Sequence, residues 1–118
     1  MQLTKEKIQA VLLREDEIGM HAVGRALLVL LRNQTRDEKR DQDTKYRNDT
    51  GFTPSDAQRG TSMAYYYMRN GRLTEKQLAY WQKPAWTEAK RIRIAKYWRQ
   101  LLLAAQEKQQ QQELKLAA

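Results

Sequence analysis

Lys90, Arg93 and Lys96 recur at three-residue steps, Arg99 follows at the same interval, and Tyr97 lies beside them. On an α-helix, residues three apart share a surface, so this spacing lines up cations that can follow a phosphate backbone. Arg59 and Tyr66 form a second pair, seven residues apart and again on one helix face. A guanidinium binds phosphate, and an exposed phenol ring stacks on an unpaired base for about 1–3 kcal/mol. Arg59, Tyr66, Lys90, Arg93, Lys96 and Arg99 are therefore the candidate nucleic-acid contacts, against the plainer reading of a solvated charged face. Trp81 and Trp86 flank Pro84 in "AYWQKPAW". They pack a corner between two helices or, with Tyr65 of the tyrosine run, anchor a protein interface.

Other chemistries are excluded. The chain has no cysteine and one histidine, His21, so thiolate zinc sites, disulfides, cysteine nucleophiles and multi-histidine metal centres are impossible. His21 has no nucleophile or acid partner at a readable spacing. The acids of "RDEKRDQDTKYRND" are interrupted by bases and lack the glycine and final glutamate of a calcium loop. The expectation is a protein without enzymatic activity, metal or cofactor.

Net charge is +8, and it is unevenly spread. Thr74 to Arg99 holds seven Lys/Arg against two Glu, hence +5, whereas residues 34–53 hold five bases and five acids. A concentrated positive segment suits an anionic partner, because phosphate contacts release counterions. The longest apolar run, "ALLVLL", has six residues, far short of the roughly 20 that cross a bilayer. "MQLTKEK" has no apolar signal core. No membrane association is expected, and the cytoplasm of a bacterial host cell is the expected location.

The elements that position these residues are helices. At 118 residues, one domain is expected over 1–106. Thr4 caps a first helix, with Leu3 and Ile8 spaced for a hydrophobic staple. Asp16 starts a second, in which Ile18, Met20, Ala22, Val23, Ala26, Leu27, Val29, Leu30 and Leu31 cover most of the circumference. That makes it the buried spine. Its narrow polar stripe, His21, Arg25 and Arg32, is expected to meet acids such as Asp37, Glu38 or Asp56. A long charged loop follows, about 34–52, of which 36–47 would order on binding.

Thr53, Pro54 and Asp56 then read as N-cap, N1 and N3 of a third helix that ends before Gly71. Thr74 with Gln77 is a capping box, and Leu73 with Leu78 a staple, for a short fourth helix broken by Pro84. The last helix is expected from about Trp86 to the glutamine tract. Its core face is Ile94, Ala95, Trp98, Leu101, Leu102 and Ala105, and Lys90, Arg93 and Lys96 oppose it. Residues 107–118 form a low-complexity tail expected to fray, ending in a "KLAA" of vector-encoded type. The fold class is all-α, a compact bundle of four or five helices with one long charged loop.

The order "RALLVLLRNQTRDE … TGFTPSDAQRGTSMA … GRLTEKQLAYW … YWRQLL" resembles a small module of phage and plasmid genomes. The matching positions are Asn33, Gln34, Thr35, Gly51, Phe52, Asp56, Ala57, Gly71, Leu73, Thr74, Lys76, Gln77, Tyr97, Gln100 and Leu101. "YYYMRN" is more aromatic than that pattern, and "WQKPAWTEAK" reads as an insertion within it. The resemblance implies a mobile-element origin and leaves the activity open. The leading expectation is a small basic helical phage or mobile-element protein that binds DNA or RNA. The alternative is a phage-encoded module that inhibits or redirects a host protein, such as a defence complex or polymerase.

Overall fold

The computed structural model describes residues 2–40, 51–83 and 92–117. Within them the chain forms five α-helices: α1 (Lys5–Leu12), α2 (Glu17–Arg40), α3 (Ala57–Asn70), α4 (Glu75–Gln82) and α5 (Trp98–Ala117). A 3-10 turn, Ile94–Tyr97, leads into α5. The expected all-α bundle is what the chain adopts.

Local chemistry starts and stops these helices. The Thr4 hydroxyl accepts from Lys7 N at 3.2 Å, opening α1. The Asp16 carboxylate accepts from Gly19 N at 3.1 Å and pairs with Arg14, opening α2. At α4, Thr74 and Gln77 make the reciprocal capping box, at 3.1 and 3.0 Å. α3 ends at Gly71, whose φ of 73° is a left-handed conformation that glycine adopts at little cost.

α2 is the spine. Met20, Val23, Ala26, Leu27, Leu30 and Leu31 are buried, and the helix touches α1, α3, α4 and α5. Ile18 is the exception to the expected all-round burial, 55% exposed in the first turn, outside the packed body. α3 lies close against α2 because Gly24 has no side chain; a Cβ there would meet the Tyr67 ring at 2.2 Å. Gly60 likewise gives room to Phe52, whose ring a Cβ would meet at 2.3 Å. Phe52 then packs between Trp81 and Tyr97, at centroid distances of 5.9 and 6.1 Å. Trp81 is wholly buried, and its indole N–H points at the Met63 sulfur at 3.1 Å.

Four boundaries differ from expectation. α2 runs on to Arg40, so the charged loop begins later than residue 34; its stretch 41–50 lies outside the described residues. Arg, Glu and Lys propagate a helix well without an apolar face, so periodicity misses this extension. α3 begins at Ala57, after a turn in which Asp56 N donates to Thr53 O at 2.9 Å. Trp86 lies outside the described residues, and the described part of the last segment enters α5 through the 3-10 turn rather than as one helix. The glutamine-rich tail, expected to fray, is helical to Ala117.

The Arg14 partner, followed by the Gly19 amide, lowers the Asp16 pKa to about 2. A carboxyl in an unfolded chain titrates near 3.9, so Asp16 stabilises the fold above about pH 4 and loses that contribution as pH falls toward 2. Carboxyl NMR titration should find Asp16 with a midpoint near 2, moving up in Arg14→Gln. A midpoint near 4 in the parent would contradict this pairing.

Candidate functional site

Asp56 stands at the N-cap of α3, yet its carboxylate makes no cap bond. It turns inward and is only 1% exposed. A buried carboxylate persists only if donors and counter-charges surround it. Here Tyr97 Oη donates to Oδ2 at 2.5 Å, and Lys96 Nζ reaches the same oxygen at 3.0 Å. Tyr80 Oη and Thr53 Oγ1 approach at 3.4 Å each, and Arg93 Nε stands 3.9 Å from Oδ1. Tyr97 Oη also accepts from Thr53 N at 3.2 Å. Four segments therefore meet on one residue: the turn before α3, the end of α4, Arg93 and the 3-10 turn.

Cations and rings alternate over this anchor. The Arg93 guanidinium carbon lies 3.9 Å from the Tyr80 ring centroid, and that of Arg59 lies 5.3 Å from the same centroid. Lys96 Nζ is 5.3 Å from the Tyr97 centroid. Arg93 Nη1 also donates to the Tyr80 carbonyl at 3.1 Å. Arg93 and Lys96 face the Asp56 carboxylate, and Arg59 stands beside the Tyr80 ring that Arg93 also approaches. Arg59 is exposed, and the Arg93 and Lys96 side chains each keep 20% of their surface open.

The predicted site residues fare differently. Arg93 and Lys96 do not form a solvated face opposite the core; they turn toward Asp56, because the 3-10 turn breaks the helical register that an opposite face requires. Lys90 lies outside the described residues. Arg99 is exposed, 5.4 Å from the ring of its neighbour Trp98. Arg59 stacks by Tyr80, whereas Tyr66 is half-buried farther along α3. Trp81 is core rather than interface anchor, and Trp86 lies outside the described residues. Tyr65 is 47% exposed. Arg25 and Arg32 are exposed, so they need no buried network; Asp56 has Arg93 and Lys96 instead.

Sequence reasoning missed Tyr80 as a site residue and read Asp56 as a helix-start residue and a partner for the α2 arginines, whereas its cations are Arg93 and Lys96. The one signal was an aspartate beside a proline turn in a chain with concentrated cations 37–40 residues later. A second cluster was also missed. His21 Nδ1 lies 2.9 Å from Tyr67 Oη, and its Nε2 lies 3.7 Å from Glu17, which pairs with Arg72 at 2.9 Å. It ties the start of α2 to the end of α3.

Asn33, Gly51 and Gln100 of the quoted pattern join one network. Gln100 accepts from Gly51 N at 2.7 Å and from Asn33 at 3.0 Å, and donates to Gly51 O at 3.0 Å. Gly51 has φ 78°, and a Cβ there would meet that of Gln34 at 2.5 Å. The pattern thus encodes the docking of residues 51–56 onto α2 and α5.

Burial, then the bond to Asp56, pushes the Tyr97 phenol pKa up. Its neutral form is favoured in the fold, so this contribution is complete below the unfolded value near 10 and is lost as pH rises from there through the folded value. Tyr97→Phe removes a donor to a buried charge and should cost about 1.5–3 kcal/mol in denaturant unfolding at neutral pH. A loss below about 0.5 kcal/mol would show that Asp56 does not depend on this phenol.

Among the described residues no helix is long and apolar enough to cross a membrane, and no group of three or more His, Cys, Asp or Glu could hold a metal ion. Comparison of the chain with protein-family models, with curated proteins and with solved structures found no match.

Proposed function

We propose that this chain is a small, non-enzymatic, basic helical protein that binds nucleic acid, of the kind carried by phages and other mobile elements. One observation carries the reading: Arg59, Arg93 and Lys96 gather around the phenol rings of Tyr80 and Tyr97 beside Asp56. A polyanion that binds beside such a cluster of cations releases its own condensed counterions. Arg59 and Lys96 supply phosphate contacts, extended by Arg99 on α5. The net charge of +8 adds long-range attraction that does not depend on sequence.

A second reading, docking on a host protein, draws on a different surface. Tyr65 and Met68 are 47% and 56% exposed and lie one turn apart on α3. Trp81 takes no part in that surface, being in the core.

Anisotropy titrations of labelled DNA and RNA, single-stranded and duplex, test the first reading. With three phosphate contacts the affinity for duplex should fall about 40-fold between about 50 and 200 mM salt. Absence of binding to every polymer at the lower salt would contradict the proposal.

A further inference from the structure

We infer that the Arg59–Tyr80–Arg93 stack is a base-stacking platform that makes the protein prefer single-stranded over duplex nucleic acid. This rests on the nucleic-acid reading above and goes beyond it in naming the form of the polymer and the residues that select it.

The argument begins with how Arg93 is held. Nη1 donates to the Tyr80 carbonyl at 3.1 Å, Nε stands 3.9 Å from Asp56, and the guanidinium lies 3.9 Å from the Tyr80 centroid. Two of its three nitrogens are thus directed at the protein's own acceptors. With Nε turned to Asp56, the Nε–Nη2 edge is taken from a phosphate fork, and only the Nη1–Nη2 end is left for one. Beside that end the side chain offers its flat cationic plane, and guanidinium planes take unstacked bases.

The platform is also rigid. Tyr80 packs edge-on against Trp81, centroids 5.0 Å apart at 84°, and Trp81 is wholly buried. The Tyr80 hydroxyl approaches Asp56 at 3.4 Å. A stack joined to the core in this way loses little freedom when a base settles on it. Exposed Arg59, 5.3 Å from the Tyr80 centroid, then stands where it can contact the phosphate next to that base.

Duplex DNA cannot use such a plane, because its bases are already stacked and show only their edges in the grooves. The cations are also poorly carried for groove reading. Arg93 and Lys96 border and lie in a 3-10 turn of four residues, Ile94–Tyr97, while Arg59 sits on α3, so no single helix carries them along a major groove. Single strands offer both the phosphates and the open base faces that this arrangement fits.

Four proteins separate the possibilities: the parent, Arg59→Gln, Arg93→Lys and, as a surface control, Arg69→Gln. Each is titrated, at about 50 and 200 mM salt, with a labelled strand lacking self-complementarity and with the same strand in duplex. The strand should bind roughly 10-fold tighter than the duplex or better, within the range that one stacked base contributes. Arg93→Lys keeps the charge beside Asp56 but loses the plane, so it should weaken strand binding roughly 5- to 100-fold and leave duplex binding within about 2-fold. Arg59→Gln should reduce the salt slope on the strand by about 0.7, and Arg69→Gln should match the parent.

A 2-aminopurine in the strand adds a direct readout, since its fluorescence should fall on binding to the parent more than to Arg93→Lys. Thermal melting checks that each variant folds, and the surface change Arg59→Gln keeps the test decisive if Arg93→Lys does not. Equal affinity for strand and duplex, or variants indistinguishable from the parent, would overturn the platform while leaving nucleic-acid binding intact. No binding to either polymer would overturn both.

Discussion

The carboxylate of Asp56 is almost completely removed from water, and an anion so placed is stable only while donors and cations enclose it. That requirement links parts of the chain that local propensity would leave independent. Thr53 belongs to the turn before α3, Tyr80 to the end of α4, and Lys96 and Tyr97 to the 3-10 turn before α5. Phe52, packed against Trp81 and Tyr97, makes the apolar half of the same junction. Gln100 holds Gly51 by both its backbone groups and so fixes the approach of the turn from the other side. The bundle is closed by this junction as much as by the apolar stripe of α2.

The same junction shapes the surface chemistry. Long cationic side chains on a solvated helix wander, and any ligand must immobilise them. Arg93 and Lys96 are instead held near Asp56. A structural anion thereby becomes a device for presenting cations and rings in fixed relation. Structure and proposed binding are coupled through one residue, so a change that loosens Asp56 should disturb both.

Features governed by neighbours in sequence were legible. The Thr4 cap, the Asp16 start, the Thr74–Gln77 box and the Gly71 stop all depend on groups within four residues, and each is found where its spacing placed it. The buried face of α2 was legible because leucine and valine crowd one stretch. The charged stretch to Arg40 and the glutamine-rich end of α5 escaped, because good helix formers need no apolar period to continue a helix already begun. The basic face failed for a different reason. Placing Arg93 and Lys96 opposite the core assumed a continuous helix, and the 3-10 turn rotates them toward an aspartate about 40 residues earlier. Arg59 was rightly marked as exposed, but its ring partner is Tyr80 on another helix, a contact that no single-helix periodicity encodes.

Denaturant unfolding of Asp56→Asn at neutral pH addresses the central claim most directly. Asparagine keeps the size of the side chain and removes the charge that Lys96, Arg93 and Tyr97 converge on. The account predicts a loss of about 3 kcal/mol or more, since removing one partner of a buried ionic cluster leaves the others uncompensated. A loss below about 0.5 kcal/mol, the range of an ordinary surface substitution, would contradict it.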